Sequence, residues 1–243
     1  MPSIDQLPGF RRLIRIEPRP GAVTAALEDD IHCMAVTLEH DGERIAAVRA
    51  DMSRWPWSTC PGAKERLTAD FTGAPLSGAT EGVNKRHNCT HLYDLAALAA
   101  RYALSDAPLR FEVLTSDEVA GEVVSELRRD GETVMCWTLR DDVVTAPEGP
   151  AGRHLMALRD WIATLSGEER EAARMLQWAS LVAHGRKYPW VIGSDPSHMP
   201  PNCHSFQPEQ AQHARRIGDR VDFSAPDSRK PLSGFTGSGF RED

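Results

Sequence analysis

The chain has no apolar run long enough to cross a bilayer. Its longest candidates, such as DLAALAARYAL (94–104), fall far short of the ~20 residues a spanning helix needs. It has no basic excess either: a formal net charge of −7 argues against a surface built to follow a phosphate backbone. No two of its cysteines form a C-x-x-C pair, and the five of them (Cys33, Cys60, Cys89, Cys136 and Cys203) are odd in number. The opening segment MPSIDQLPGFRR lacks the basic-then-apolar pattern of a secretion signal. Together these features predict reduced thiols in the cytoplasm rather than a disulfide framework. There is no G-x-G-x-x-G, no Walker A loop, no G-x-S-x-G elbow and no H-E-x-x-H, which removes the easy assignments to nucleotide enzyme, serine hydrolase and zincin. No internal repeat is visible.

What is present reads as antiparallel sheet alternating with helices. FRRLIRIEP is a strand-like run closed by Pro18 and Pro20. Around Ile31, Cys33 and Ala35 the alternation predicts a strand with one partly buried face. Asp41-Gly42 is a tight-turn pair, and RIAAVRADM (44–52) is its returning strand. Ser58 or Thr59 can cap a helix with Pro61 in its first turn, running through Leu67 and Phe71 to Gly73. The Gly-rich stretch 73–88 leads to a second helix, THLYDLAALAARYAL, with Asn88 or Thr90 as its cap and Asp94 in its first turn, where the dipole favours it. A second hairpin turns at Asp130-Gly131. Leu155, Leu158, Trp161, Ile162 and Leu165 form one helical stripe, and a further helix begins with Ser166 and Glu169 as a capping box and stops at Gly185. The expected class is α+β: antiparallel hairpins packed with several helices, with no βαβ alternation. Residues 1–187 are expected to form one domain. Residues 188–243 read as a Pro/Gly-rich arm, with a short helix near EQAQHARRIG. That arm is either disordered or docked through Phe223, Phe235 and Phe240.

Two short stretches could carry chemistry. In EDDIHCM (28–34), Asp30 and His32 are two apart and so share a face of a strand, where a carboxylate can orient an imidazole base. The alternatives are a solvated strand face, or a turn at Asp29–Asp30. In RHNCTHLYDL (86–95), Cys89 and His91 sit where a helix begins. A helix N-terminus makes a thiol more acidic and favours a neutral imidazole; the bland reading is a buried cysteine and a solvent-facing histidine. Trp55-Pro56-Trp57 is a stiffened aromatic loop suited to a flat apolar ligand, a subunit contact or plain core packing. Cys60, Cys89, His91 and His32 would make a chemically sensible zinc set, although they are scattered. His198, Cys203 and His204 form a second, weaker cluster.

IHCM (31–34), DGERI (41–45), the Pro56–Cys60 spacing and CTHLYDL (89–95) resemble a bacterial domain-of-unknown-function family, domain of unknown function 2889. Its pattern is I-H-x-M, D-x-x-I, P-x-x-x-C and C-T-H-L. The likeness spans roughly residues 10–105 and implies that His32, Met34, Cys60, Cys89, Thr90 and His91 belong to one constellation. TAALEDD (24–30) departs from the family's D-x-K-x-Y segment, and nothing beyond about residue 110 has a counterpart in the pattern.

The leading expectation is a cytoplasmic small-molecule enzyme of lyase, isomerase or hydratase type. His32, oriented by Asp30, would move a proton while His91 and Thr90 steady an oxyanion. Trp55, Trp57, Met34, Cys60, Cys89 and Tyr93 would line a site for a small aromatic substrate, which suits aromatic-compound catabolism. No cofactor is expected on this reading. The alternatives are a zinc or iron protein using Cys60, Cys89, His91 and His32, and a non-enzymatic binding module. The expected partners are a small molecule and a second copy of the chain as a homo-oligomer, a dimer first, with no nucleic acid and no membrane.

Overall fold

A computed structural model describes residues 3–237 and 239–240. The chain is α+β and divides into two compact units: one takes the N-terminal residues to Leu13, Arg110–Pro189 and Val221–Pro231, the other Ile14–Leu109, Trp190–Arg220 and the residues from Leu232. Residues 188–243 are therefore shared between both units.

The strands are β1 (Gly9–Arg19), β2 (Ala22–Asp29), β3 (Cys33–His40), β4 (Ile45–Arg54), β5 (Leu109–Ser116), β6 (Val123–Arg129), β7 (Glu132–Arg140) and β8 (Val143–Ala146). The helices are α1 (Ala63–Phe71), α2 (Thr90–Tyr102), α3 (Arg159–Thr164), α4 (Gly167–Ala183) and α5 (Pro208–Ala211). β1 begins in the first unit and ends in the second, and it continues past Pro18, where the sequence pattern closes it.

In the first unit, β5 to β8 form an antiparallel meander. Asp130 and Gly131 both take positive φ (51° and 93°), the pair of left-handed residues that a two-residue hairpin of matching twist needs. α4 packs on β6 and β7. Its buried Ser180 hydroxyl meets that of Ser125 at 2.8 Å, and Ser125 meets Thr115 at 2.7 Å, so the buried hydroxyls satisfy one another as interior polar groups must. The stripe expected from Leu155 to Leu165 is broken into a 3-10 turn (Leu155–Ala157) and α3. Ser166 does stand at the N-cap of α4 but makes no side-chain cap bond, so the capping box with Glu169 is not formed. The helix ends at Ala183, and Gly185 lies in the 3-10 turn that follows it.

In the second unit, β2, β3 and β4 pair antiparallel in sequence order, with α2 packed on β2 and β3 and α1 on β4. From Val23 onward β2 is buried at every position, and β3 is buried at all but Glu39. This corrects the expected strand with one buried face. It also corrects the placement of Asp30 and His32 on a shared strand face: the backbone turns between them. Asp29 N–H donates to the His32 carbonyl at 2.8 Å, closing a tight turn over residues 29–32 that joins β2 to β3. Asp41-Gly42 opens the β3–β4 connection as expected, with Gly42 at φ 100°.

The last segment of this unit docks rather than dangling. The Leu232 N–H donates to Glu28 Oε2 at 2.6 Å, Phe235 is buried, and Phe235 and Phe240 pair at 5.7 Å between ring centroids. Phe223, in the first unit, is buried beneath the Arg229 guanidinium. Within EQAQHARRIG only the first residues are helical, as the end of α5.

Candidate functional site

The β2–β3 turn is shaped by one carboxylate. Asp29 Oδ1 accepts the backbone N–H of Ile31 at 2.8 Å and of His32 at 2.7 Å, the aspartate turn that replaces a missing ladder partner. The same oxygen lies 3.1 Å from His32 Nδ1. An ionised carboxylate only accepts, so in this contact Nδ1 is the donor. The hydrogen-bonded partner of His32 is Asp29 and not the expected Asp30, which is buried inside the turn.

α2 supplies the other half. His91 is its second residue, and its ring stacks on that of His32 with centroids 3.7 Å apart and planes 27° from parallel. Asp29, His32 and His91 are 0%, 6% and 8% exposed, so the bland reading of a solvent-facing His91 does not hold. Each of the three offers one ligand atom, and these atoms lie within 4.8 Å of one another.

The head of α2 differs from expectation. Cys89 occupies the N-cap position and makes no side-chain cap bond. Asn88 is buried and spends its side-chain N–H on Asp70, at 2.7 Å. Thr90 is the first helical residue, and Asp94 lies beyond the first turn, bonded to Lys85 Nζ at 2.6 Å. The expected acidic thiol is overturned as well: burial pushes Cys89 up to about 12 and Cys60 up to about 11. Full desolvation penalises a thiolate more than the helix end favours it. Cys60 instead receives the Ser205 hydroxyl at 3.4 Å. The His204 N–H donates to the Asn88 carbonyl at 2.9 Å, which brings Cys203 beside Cys60 and Cys89; its thiol too is pushed up to about 12 by burial.

The aromatic loop divides. Trp57 is buried, edge-on to Phe206 at 5.7 Å and covered by the Arg216 guanidinium at 3.8 Å from its centroid. The same guanidinium lies 4.4 Å from the Trp190 ring. Trp57 is thus an anchor for the chain's own C-terminal third, not an open wall for a ligand. Trp55 is partly exposed, and its buried Nε1 makes no hydrogen bond. Met34 is fully buried in β3, opposite Leu27 and Met52. Tyr93 packs edge-on against Phe71 at 5.6 Å, with the Lys85 ammonium 5.5 Å from its ring.

Sequence reasoning missed Asp29, Glu28 and Arg54. Arg54 donates to Glu28 Oε1 at 3.1 Å and to the carbonyl oxygens of Asp29 and His32. The available signal was the Asp-x-x-His spacing at 29–32, which suits an aspartate turn as well as a strand; no local pattern points to Arg54.

The fold and site define an α+β protein with a buried Asp–His–His cluster at a hairpin turn facing a helix start. Over residues 17–105 the chain matches the model of a family described as protein of unknown function, DUF2889. No curated protein matches the chain. Among solved structures, a viral glycoprotein is similar over 74% of this chain and 58% of its own, at 11% identity and a TM-score of 0.20, too low a likeness to carry an argument. None of the described helices is long and apolar enough to cross a membrane.

Proposed function

We propose that this chain is a small-molecule enzyme of lyase or isomerase type, working by general acid–base catalysis with His32 as the group that moves the proton. The observation that carries this is the Asp29–His32 contact of 3.1 Å beneath the stacked His91 ring. A fixed Nδ1–H leaves Nε2 to take a proton from carbon or return one. With His91 3.7 Å away, like charges on both rings would repel face to face. When His32 is protonated, His91 therefore stays neutral and serves as a hydrogen-bond donor to developing negative charge, with the Thr90 hydroxyl beside it in sequence. The substrate class is a small flat carbonyl compound with an acidic C–H. An aromatic substrate rests on Trp55 alone, because Trp57 is already covered. A reducing cytoplasmic setting suits five free thiols.

The test is deuterium incorporation by NMR from D2O into a panel of small aromatic and aliphatic carbonyl compounds. At least one should exchange with the wild type and not with His32→Ala. A panel that never exchanges, or exchanges equally with His32→Ala, removes the proposal.

A second reading has its own support, since Asp29, His32 and His91 could hold zinc or iron with ligand atoms already within 4.8 Å of one another. Near-parallel stacked rings do not aim their in-plane lone pairs at one ion, so one imidazole would have to turn. About one metal per chain in untagged protein, lost in His91→Ala, would favour this reading over metal-free proton transfer.

A further inference from the structure

We infer that Arg54 is a positioning residue for His32, held by Glu28, with the backbone at Leu232 as the outer support of that clamp. The inference rests on the reading of His32 as the proton-transfer group.

Arg54 ends β4 and pairs in register with Cys33, the residue after His32. Its Nη2 donates to the Asp29 carbonyl, and to the His32 carbonyl at 3.4 Å. These carbonyls belong to the two end residues of the turn that presents the imidazole. Its Nη1 donates to Glu28 Oε1 at 3.1 Å, and Glu28 is itself buried. A planar guanidinium can reach acceptors on both sides of a turn at once; a lysine ammonium is a point charge and cannot. The remaining Glu28 oxygen, Oε2, accepts the Leu232 N–H at 2.6 Å. Leu232 is buried at φ 60°, a left-handed conformation unfavourable for a bulky residue. Such strain persists only where the surroundings over-determine it, and here it aims a backbone donor at a buried carboxylate. The line Leu232, Glu28, Arg54, turn, His32 thus ties the C-terminal segment to the ring.

The readout is the His32 ring tautomer, from two-bond proton–nitrogen NMR of the full chain, with His32→Gln assigning the signals. Wild type should show one Nδ1–H tautomer. Arg54→Lys and Glu28→Gln should show a mixture. Deuterium exchange into whichever compound the wild type accepts should fall about 10- to 100-fold in kcat with little change in KM, as when a supporting shell is lost. Arg49→Gln, an exposed arginine on the same strand, should change neither readout. Should one of the two clamp variants fail to fold, the near-isosteric Glu28→Gln or the charge-conserving Arg54→Lys still decides. An unchanged His32 tautomer in folded Arg54→Lys and Glu28→Gln overturns the inference. A tautomer that responds in a protein exchanging no deuterium upholds the clamp and removes only the proton-transfer reading.

Discussion

Two turns of the second unit are built the same way and end in different chemistry. At residues 29–32 and 41–44 an aspartate donates its N–H to the carbonyl three residues on, at 2.8 and 3.2 Å. In each, its Oδ1 accepts the next two available N–H groups, at 2.8 and 2.7 Å for Asp29 and 2.9 and 2.8 Å for Asp41. Asp41 stands in water, and the partners its turn takes are backbone groups of the 73–76 segment, at Gly73 and Leu76. Asp29 is buried, has an imidazole as a third donor, and has Arg54 locked across its turn. Local turn chemistry is therefore common to both; burial and the partners brought from β4 and α2 make one of them a candidate site.

The largest expected break in this contrast is Asp29→Ala. It strips an acceptor from the buried Ile31 and His32 N–H groups and from the imidazole, and should cost about 2–4 kcal/mol. Asp41→Ala removes only an exposed acceptor that water replaces. Urea unfolding of the two variants side by side measures this, and equal losses would mean that the buried turn carries no special strain. Thiol reactivity extends the contrast from carboxylates to cysteines. In native protein a disulfide reagent should modify exposed Cys136 first, while Cys60 and Cys89, pushed up to about 11 and about 12 by burial, react only after denaturation. Fast native labelling of Cys89 would overturn its account as a protonated buried thiol.

A smaller effect belongs to Gly42→Ala. Its φ of 100° is open to glycine and strained for alanine, so the unfolding free energy should fall by about 1 kcal/mol. The smallest is the acid response of Asp41. Backbone N–H bonds, from Arg44 first and then Glu43, hold its carboxyl below the ordinary value of 3.8. Its contribution is complete above that unfolded value and is lost as pH falls through the lower folded one. The stability gap between wild type and Asp41→Asn should be flat at neutral pH and narrow as the pH falls through 3.8 and then through the lower folded value. A gap that persists in acid would mean the carboxylate charge plays no part.

Much of the fold was legible because it is written locally. Asp-Gly pairs at 41–42 and 130–131 turn the chain where expected, and Leu92, Leu95 and Leu98 bury the predicted face of α2. The β2–β3 turn was legible only as an alternative to a strand face, because no glycine or proline marks it and both strands are buried at almost every position, which erases the alternation that separates strand from turn. Of the site, His32 and His91 stood out as unusual residues at suggestive places. Their stacking could not be read, since 58 positions separate them in sequence. The same limit hid the C-terminal third: Arg216 against Trp57, Ser205 on Cys60 and Leu232 on Glu28 join residues more than a hundred positions apart.

The sequence by itself determined the α+β class, two of the hairpins, the helix beginning at the C-T-H-L motif and the resemblance that the family match over residues 17–105 supports. These follow from periodicity, turn chemistry and short motifs, which act over a few residues. The tertiary structure alone decided that Asp29 is bonded to His32, that Cys89 is a protonated buried thiol instead of an activated one, and that Trp57 is covered. Each of those outcomes depends on desolvation and on partners from distant strands and helices, and a buried group takes its chemistry from what surrounds it in space.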